Sequence, residues 1–285
     1  KFSPWNSNKV LASGESIKQY LQETAQKFGV DKKVRYGIKI SSANFSTQTN
    51  KWTVEAIDEA NGEACQFTCN YLVTATGYYN HDQGYTPQFE GVENFKGQVV
   101  HPQHWPENLD YKNKRVVVIG SGATAVTLIP AMADDTAHIT MLQRSPSYVM
   151  NVPNTDKLVD ACRKVLSEKL VYKIFRKRNI FMQRGIYKIS RRFPKQMRSF
   201  LLSNAQKELG EQYDMTHFTP KYMPWDERLC AIPDNDLFEV IREGKASIVT
   251  DQIERITETG ILLKSGQTLD ADIIVSATGL ELQML

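Results

Sequence analysis

The chain has 285 residues, 41% hydrophobic and 24% charged, with 35 basic and 32 acidic side chains giving a formal charge of +3. These proportions exclude a disordered chain and a collagen, and so small a net charge does not point to nucleic acid as a partner. No apolar run approaches the roughly 20 residues that span a bilayer, which excludes a membrane transporter. Four cysteines (Cys65, Cys69, Cys162 and Cys230) suit a reducing compartment better than a disulfide framework, so the expected location is cytoplasmic. At roughly 150 residues per domain, the length allows one large domain or two modest ones. The chain opens on Lys1 and its last strand-like run stops soon after a glycine turn. An internal fragment of a longer protein is therefore expected.

In chain order, apolar residues at Ile17, Tyr20, Leu21, Ala25 and Phe28 predict a helix over residues 16–28, closed by Gly29. Val34 to Ile40 alternates and predicts a strand. Trp52 to Ile57 and Gln66 to Ala75 are strand-like runs on either side of Asn61-Gly62, a strong hairpin-turn dipeptide. The second run leads into Ala75-Thr76-Gly77, and a looser stretch rich in Gly, Pro and Tyr follows. Arg115 to Ile119 is a short β-branched strand. It runs into Gly120-Ser121-Gly122-Ala123-Thr124-Ala125-Val126 and a helical stretch to about residue 133, then a strand over 138–142. This order implies a parallel sheet with a crossover helix. Residues from about 156 to 210 are helical and basic. A strand resumes near 247–250, a hairpin-like region follows over 253–269, and a buried strand over 271–275 ends in Ser276-Ala277-Thr278-Gly279.

The strongest chemical signal is the G-x-G-x-x-A turn after the 115–119 strand. Gly120 permits the tight turn, Gly122 lets a pyrophosphate approach the backbone, and Ala125 lets helix and strand pack closely. The helix N-terminus then offers free N–H groups and a partial positive charge to phosphates. The following strand ends in Gln143-Arg144-Ser145. It lacks the carboxylate that accepts the ribose hydroxyls of NAD, whereas a guanidinium and a hydroxyl suit a 2′-phosphate. NADP(H) is preferred over NAD(H); the alternative is that Arg144 is a solvated loop arginine. His101 and His104 are not expected to bind metal, because no Cys, Asp or Glu cluster completes a site.

The run Phe95-Lys96-Gly97-Gln98-Val99-Val100-His101-Pro102-Gln103-His104-Trp105-Pro106 precedes the glycine turn. This F-x-G-x-x-x-H-x-x-x-W-P pattern resembles the fingerprint of the Baeyer–Villiger monooxygenases, within the class B flavoprotein monooxygenases. The chain is most similar to the FAD-containing, ethionamide-activating type. Gly77 to Asn80, Leu142 to Pro146, Pro224 to Cys230, Pro233 to Phe238 and Ala277 to Leu280 extend the resemblance over essentially the whole chain.

That resemblance implies an α/β fold of two dinucleotide-binding, Rossmann-like domains, with the NADP domain inserted into an incomplete FAD domain and carrying a helical insertion. The implied boundaries are a partial FAD domain over 1–79, an NADP domain over 80–275, and a return to the FAD domain over 276–285. Ala75-Thr76-Gly77 and Ala277-Thr278-Gly279 would be the crossings, and Ile40 would lie near the FAD adenine. The implied cofactors are FAD and NADPH. NADPH reduces the flavin, the reduced flavin takes up O₂ as a C4a-peroxyflavin, and one oxygen atom enters a ketone or is transferred to a sulfide. His101 would couple domain movement to catalysis. Arg228 would supply the positive charge facing the peroxide, its alternative being an ion pair with Asp226 or Glu227. Some members carry a lysine where this chain has Glu227, which leaves the 2′-phosphate to Arg144 and Ser145. The glycines before Ala75 (Gly14, Gly29, Gly37 and Gly62) form no second G-x-G-x-x-G, so the fragment alone is expected to be inactive. The rivals are a flavin monooxygenase acting on nitrogen or sulfur, and a non-catalytic NADP-binding module. Between Arg163 and Arg198 there are thirteen basic residues and one acid, Glu168, with apolar residues interleaved. That region reads as a helical lid with a solvated basic exterior or, alternatively, as a face for peripheral membrane contact. No nucleic-acid partner is expected.

Overall fold

A computed structural model describes residues 3–5, 7 and 9–283, which fall into two units, the first holding residues 3–5, 7 and 12–78 and the second residues 9–11 and 79–283. The first unit opens with α1 (Gly14–Lys27), whose N-cap Ser13 accepts the Ser16 N–H, with Glu15 in the first turn and Lys27 in the last. Both charges complement the helix dipole. Three antiparallel strands follow in the order β1 (Ile38–Ser46), β2 (Lys51–Asp58) and β3 (Ala64–Cys69). Asn61-Gly62 lies in the turn between β2 and β3, where Gly62 adopts a φ of 74°. Two expectations shift. The first strand begins at Ile38 and not Val34, and it continues through the polar Ser41, Ser42 and Asn44. Both its faces are largely exposed, so its sequence carries no clean alternation. The third strand stops at Cys69 and does not run on to Ala75. Cys69 pairs with Trp52, and β2 begins one residue earlier, which leaves residues 70–75 no strand to pair with.

The second unit opens with β4 (Tyr79–Gly84), β5 (Gln98–Val100) and β6 (Arg115–Ile119), then α2 (Ala123–Met132), β7 (His138–Gln143) and β8 (Tyr148–Val152). The helical insertion comprises α3 (Lys157–Arg163), α4 (Glu168–Arg192) and α5 (Pro194–Leu209). Pro194 at the first position of α5 has no N–H to continue α4, which accounts for the break between them. The chain closes with β9 (Leu229–Pro233), α6 (Asp236–Arg242), β10 (Ala246–Thr250), β11 (Ile253–Thr257), β12 (Gly260–Leu263), β13 (Thr268–Asp270), β14 (Ile273–Ser276) and β15 (Leu280–Leu282).

A parallel five-stranded sheet ordered β10-β7-β6-β14-β5 carries this unit. Its three inner strands, β7, β6 and β14, are buried on both faces, which explains their near-continuous apolar runs. One face packs Val116, Val118, Ile139, Met141 and Val275 against α2, α5 and α6. The other packs Val117, Ile119, Leu142 and Ile274 against Ile256, Ile261 and Leu263. Those last three belong to an antiparallel meander, β11-β12-β13. The single hairpin expected over 253–269 is thus three strands. Thr257 and Gly260 pair across a first reversal, and Lys264 to Gln267 turn the second. Each wholly buried Ile, Val or Leu in these layers contributes about 1.5–3 kcal/mol.

One contact ties the helical insertion to itself. Asp156 caps α3 by accepting the Leu158 and Val159 N–H groups, and it pairs with Arg178 of α4. The Arg178 guanidinium, hydrogen-bonded to it, holds the Asp156 carboxyl below the ordinary carboxylate range. Because the folded value is lowered, this stabilisation is complete above about pH 4 and is lost as the pH falls through the folded value. Asp156→Ala is expected to cost about 1 kcal/mol at neutral pH. It should also flatten the acid dependence of amide-exchange protection in α3 and α4. An unchanged acid profile would contradict the link.

Candidate functional site

The C-terminal ends of β6, β7 and β14 converge where the sheet order departs from chain order, with α2 leaving from β6 toward β7. Crevices at such points bind ligands in open α/β sheets. Gly120 follows β6 with a φ of 138°. Its N–H donates to the Leu142 carbonyl at 2.8 Å. A Cβ at this position would stand 2.4 Å from the Ala277 carbonyl oxygen, so only glycine fits. Gly122 is the N-cap of α2, and no side chain caps that helix. A Cβ built on Gly122 would meet nothing within 4 Å. Ala125, one turn on, is wholly buried against the sheet. The loop therefore presents open backbone and an uncapped helix N-terminus, which suits a pyrophosphate.

Ser121 joins this loop to its neighbours. Its buried Oγ lies 3.2 Å from Ser147 Oγ and donates to the Ser145 carbonyl at 3.3 Å. Its own carbonyl accepts from Cys230 Sγ at 3.7 Å. The glycine turn, the segment after β7 and strand β9 thus meet at one residue. Arg144 and Ser145 are exposed beside it, and no carboxylate reaches Arg144 among the described residues. The residue before them is fixed: Gln143 is buried, and its Nε2 donates to the His217 carbonyl at 2.7 Å and to Thr250 Oγ1 at 2.8 Å. The Thr250 hydroxyl in turn faces His217 Nδ1 at 2.8 Å.

Arg228 is exposed immediately before β9. Asp226 is occupied by Arg191 of α4, so Arg228 makes no ion pair with Asp226 or Glu227 among the described residues. Its backbone is held instead: the Tyr222 hydroxyl donates to the Arg228 carbonyl at 2.7 Å. The Tyr148 hydroxyl donates to the Tyr222 carbonyl at 2.7 Å, and Arg198 Nη1 donates to the Pro220 carbonyl at 2.8 Å. Burial raises both tyrosine hydroxyls above their ordinary pKa, which keeps them protonated donors. Burial likewise raises the Cys230 thiol, partly offset by the Arg228 charge. Trp225, in the same segment, has a φ of 71°, a strained conformation for a bulky residue, and packs edge-on to Tyr187 at 5.8 Å.

His101 ties the fingerprint segment to the second A-T-G turn. Its Nδ1 accepts the Gln103 N–H at 3.2 Å, which leaves Nε2–H to donate to the Gly279 carbonyl at 3.0 Å. Its ring lies over Gly84, where a Cβ would come within 1.9 Å of it. The Thr278 hydroxyl donates to the Tyr85 carbonyl at 2.6 Å. Gly120, Ser121, Gly122, Ala123, Thr124, Ala125, Val126, Arg144, Ser145, Arg228 and His101 all belong to the second unit. Ile40, exposed on β1, and the Ala75-Thr76-Gly77 turn, where Gly77 has a φ of 74°, belong to the first. Sequence reasoning missed Gln143, His217, Thr250, Tyr148 and Tyr222. Their only advance signal was a polar residue closing each of two apolar strands.

The family model described as flavin-binding monooxygenase-like matches residues 8–284. MymA of Mycobacterium tuberculosis, whose name describes an FAD-containing monooxygenase, is 55% identical over 289 residues, covering 100% of this chain and 58% of that protein. The FAD-containing monooxygenase EthA of Mycobacterium tuberculosis is 48% identical over 286 residues, with the same coverage of 100% and 58%. Among solved structures, an oxidized steroid monooxygenase bound to NADP superposes with a TM-score of 0.75 at 22% identity, over 98% of this chain and 58% of that one. OTEMO in complex with FAD and NADP gives a TM-score of 0.74 at 21% identity over the same shares, 98% and 58%. These likenesses show the fold: α/β, with two Rossmann-like dinucleotide-binding domains and helical insertions. The chain spans 58% of the length of these curated relatives.

Proposed function

The chain belongs to the flavin-binding monooxygenase-like family, and from that membership we propose that it is the NADPH-binding part of a flavoprotein monooxygenase of the Baeyer–Villiger, ethionamide-activating type. The observation that carries this reading is the glycine loop. It joins an uncapped α2, open space at Gly122 and an exposed arginine directly after β7. In this reading, the N–H groups opening α2 receive the pyrophosphate, each favourable charge–dipole contact being worth about 0.3–1 kcal/mol. Arg144 and Ser145 receive the 2′-phosphate by charge-assisted hydrogen bonds.

The proposed whole enzyme uses FAD and NADPH to insert one oxygen atom from O₂ into a ketone or transfer it to a sulfide. FAD would take up the hydride and activate oxygen. These residues carry no G-x-G-x-x-G loop for its pyrophosphate, so they do not themselves form its cradle. Residues 1–79 are read as part of the FAD domain, 80–275 as the NADP domain and 276–285 as the return. Ile40 is placed toward the adenine, and the two A-T-G turns serve as the crossings. Arg228, with no ion pair among the described residues and anchored through its carbonyl, is assigned the fixed positive charge at the reacting oxygen. His101, accepting at Nδ1 and donating from Nε2, is assigned a positioning role, holding the second crossing by its Gly279 contact.

Arg144→Ala is expected to weaken NADPH binding by about 10- to 100-fold, the loss of one or two charge-assisted hydrogen bonds, while NADH binding changes little. Calorimetric titration of both nucleotides checks this, and equal weakening would contradict the 2′-phosphate assignment. In the complete protein, Arg228→Ala should leave flavin reduction by NADPH intact and lower ketone oxygenation by about 100-fold or more. Undiminished ester or lactone formation would remove Arg228 from the reaction.

A further inference from the structure

The thirteen basic residues between Arg163 and Arg198 face a single acid within that stretch, Glu168. Like charges this dense repel one another unless something of opposite sign meets them. Three of the cations find carboxylate partners: Arg163 with Asp160 and Glu168, Arg178 with Asp156, and Arg191 with Asp226. On α4, Lys169, Lys173, Arg176, Lys177, Arg184 and Lys188 have no carboxylate in ion-pair reach among the described residues.

The same helix leaves apolar residues in water. It buries Val171 and Phe175. Leu170, Ile174 and Phe181 recur at intervals of four and seven residues, which places them on one outward stripe of a 3.6-residue helix. They are 43%, 45% and 80% exposed, and Val165, in the turn before α4, is 79% exposed. Lys173, Lys177 and Arg184 each follow a stripe residue by three positions, so cations line one edge of the stripe. Lysine and arginine stems cover apolar surface while their charged heads stay at the polar boundary. No described helix is long and apolar enough to cross a membrane, so a helix of this pattern would lie in the plane of a lipid interface rather than through it.

We propose that α4 is a docking face for an anionic lipid surface. Leu170, Ile174 and Phe181 enter the boundary between headgroups and acyl chains, and Lys173, Lys177 and Arg184 meet the lipid phosphates. Charge complementarity favours this occupant over a second copy of the chain, because two copies meeting through this face would bring rows of the same sign together. At about 1.5 Å per residue, the 25 residues of α4 extend for about 37 Å, which allows several headgroups to be engaged at once.

The test is flotation of the chain with vesicles of equimolar phosphatidylcholine and phosphatidylglycerol, compared with vesicles of phosphatidylcholine alone. The chain should float with the anionic vesicles, not with the neutral ones, and should detach at high salt. Lys173→Glu combined with Lys177→Glu should lower partitioning by at least about tenfold. Phe181→Ser should lower it by about fivefold or more through lost apolar burial. Both substitutions are on exposed positions, and unchanged circular dichroism verifies folding. The proposal would be overturned by no flotation with anionic vesicles at low salt, equal binding to neutral vesicles, variants that float like the wild type, or a dimer dispersed by Phe181→Ser in a chain that ignores vesicles. Capture by an acidic protein together with indifference to lipid would overturn it equally.

Discussion

The carbonyl of Ala277 occupies the space where residue 120 would carry a side chain. Much of the second unit depends on that contact. It lets the end of β14 run beside the end of β6 while the chain turns sharply at Gly120, with a φ of 138° and its N–H bound to Leu142 on the other side. The turn that opens α2 is thereby fixed between two neighbouring strands. Two residues past Ala277, the Gly279 carbonyl receives His101, whose ring lies on Gly84. The glycine turn and His101 are therefore attached to opposite ends of one three-residue segment, Ala277-Thr278-Gly279. Displacement of that segment would be felt at both, which is a physical basis for the coupling assigned to His101.

Around this constraint, polar groups at the strand ends are satisfied mainly by backbone. Gln143 donates to the His217 carbonyl, Tyr222 to the Arg228 carbonyl, Tyr148 to the Tyr222 carbonyl and Arg198 to the Pro220 carbonyl. Such bonds fix the path of the main chain, while the side chains of Arg144 and Arg228 make no ion pair among the described residues. A buried polar group that lost its partner would cost about 1–3 kcal/mol, so the anchors resist rearrangement. The result is two exposed guanidinium groups, at Arg144 and Arg228, on main chain whose course is set from inside. That arrangement suits a site built to receive an anion.

The legible parts of the sequence were those whose chemistry is local. The strand, glycine turn and helix over 115–133 announce themselves because Gly120, Gly122 and Ala125 each answer a steric demand within a few residues. The place of Arg144, exposed directly after β7, was legible because the strand's end is marked in the sequence. β1 was misplaced because a strand exposed on both faces loses the alternation that marks strands. The Gln66 to Ala75 run looked like one strand, but its end depends on where β2 begins, a fact of pairing rather than composition. The meander over 253–270 looked like one hairpin because the short reversal at Glu258-Thr259 carries no glycine or proline of its own. The anchors Gln143 and Tyr148 act through carbonyls 74 residues along the chain, and Asp226 is taken by Arg191, 35 residues before it. No local pattern encodes either.

If the glycine loop and the end of β7 together receive the phosphates of a nicotinamide dinucleotide, as proposed, the backbone amide spectrum of this chain recorded while NADP⁺ is added should show its largest shifts on Ser121 to Ala125 and on Arg144 and Ser145. NAD⁺ should move the first group and spare the second. Saturable binding that left the amides of Gly122 to Thr124 unmoved would contradict the proposal.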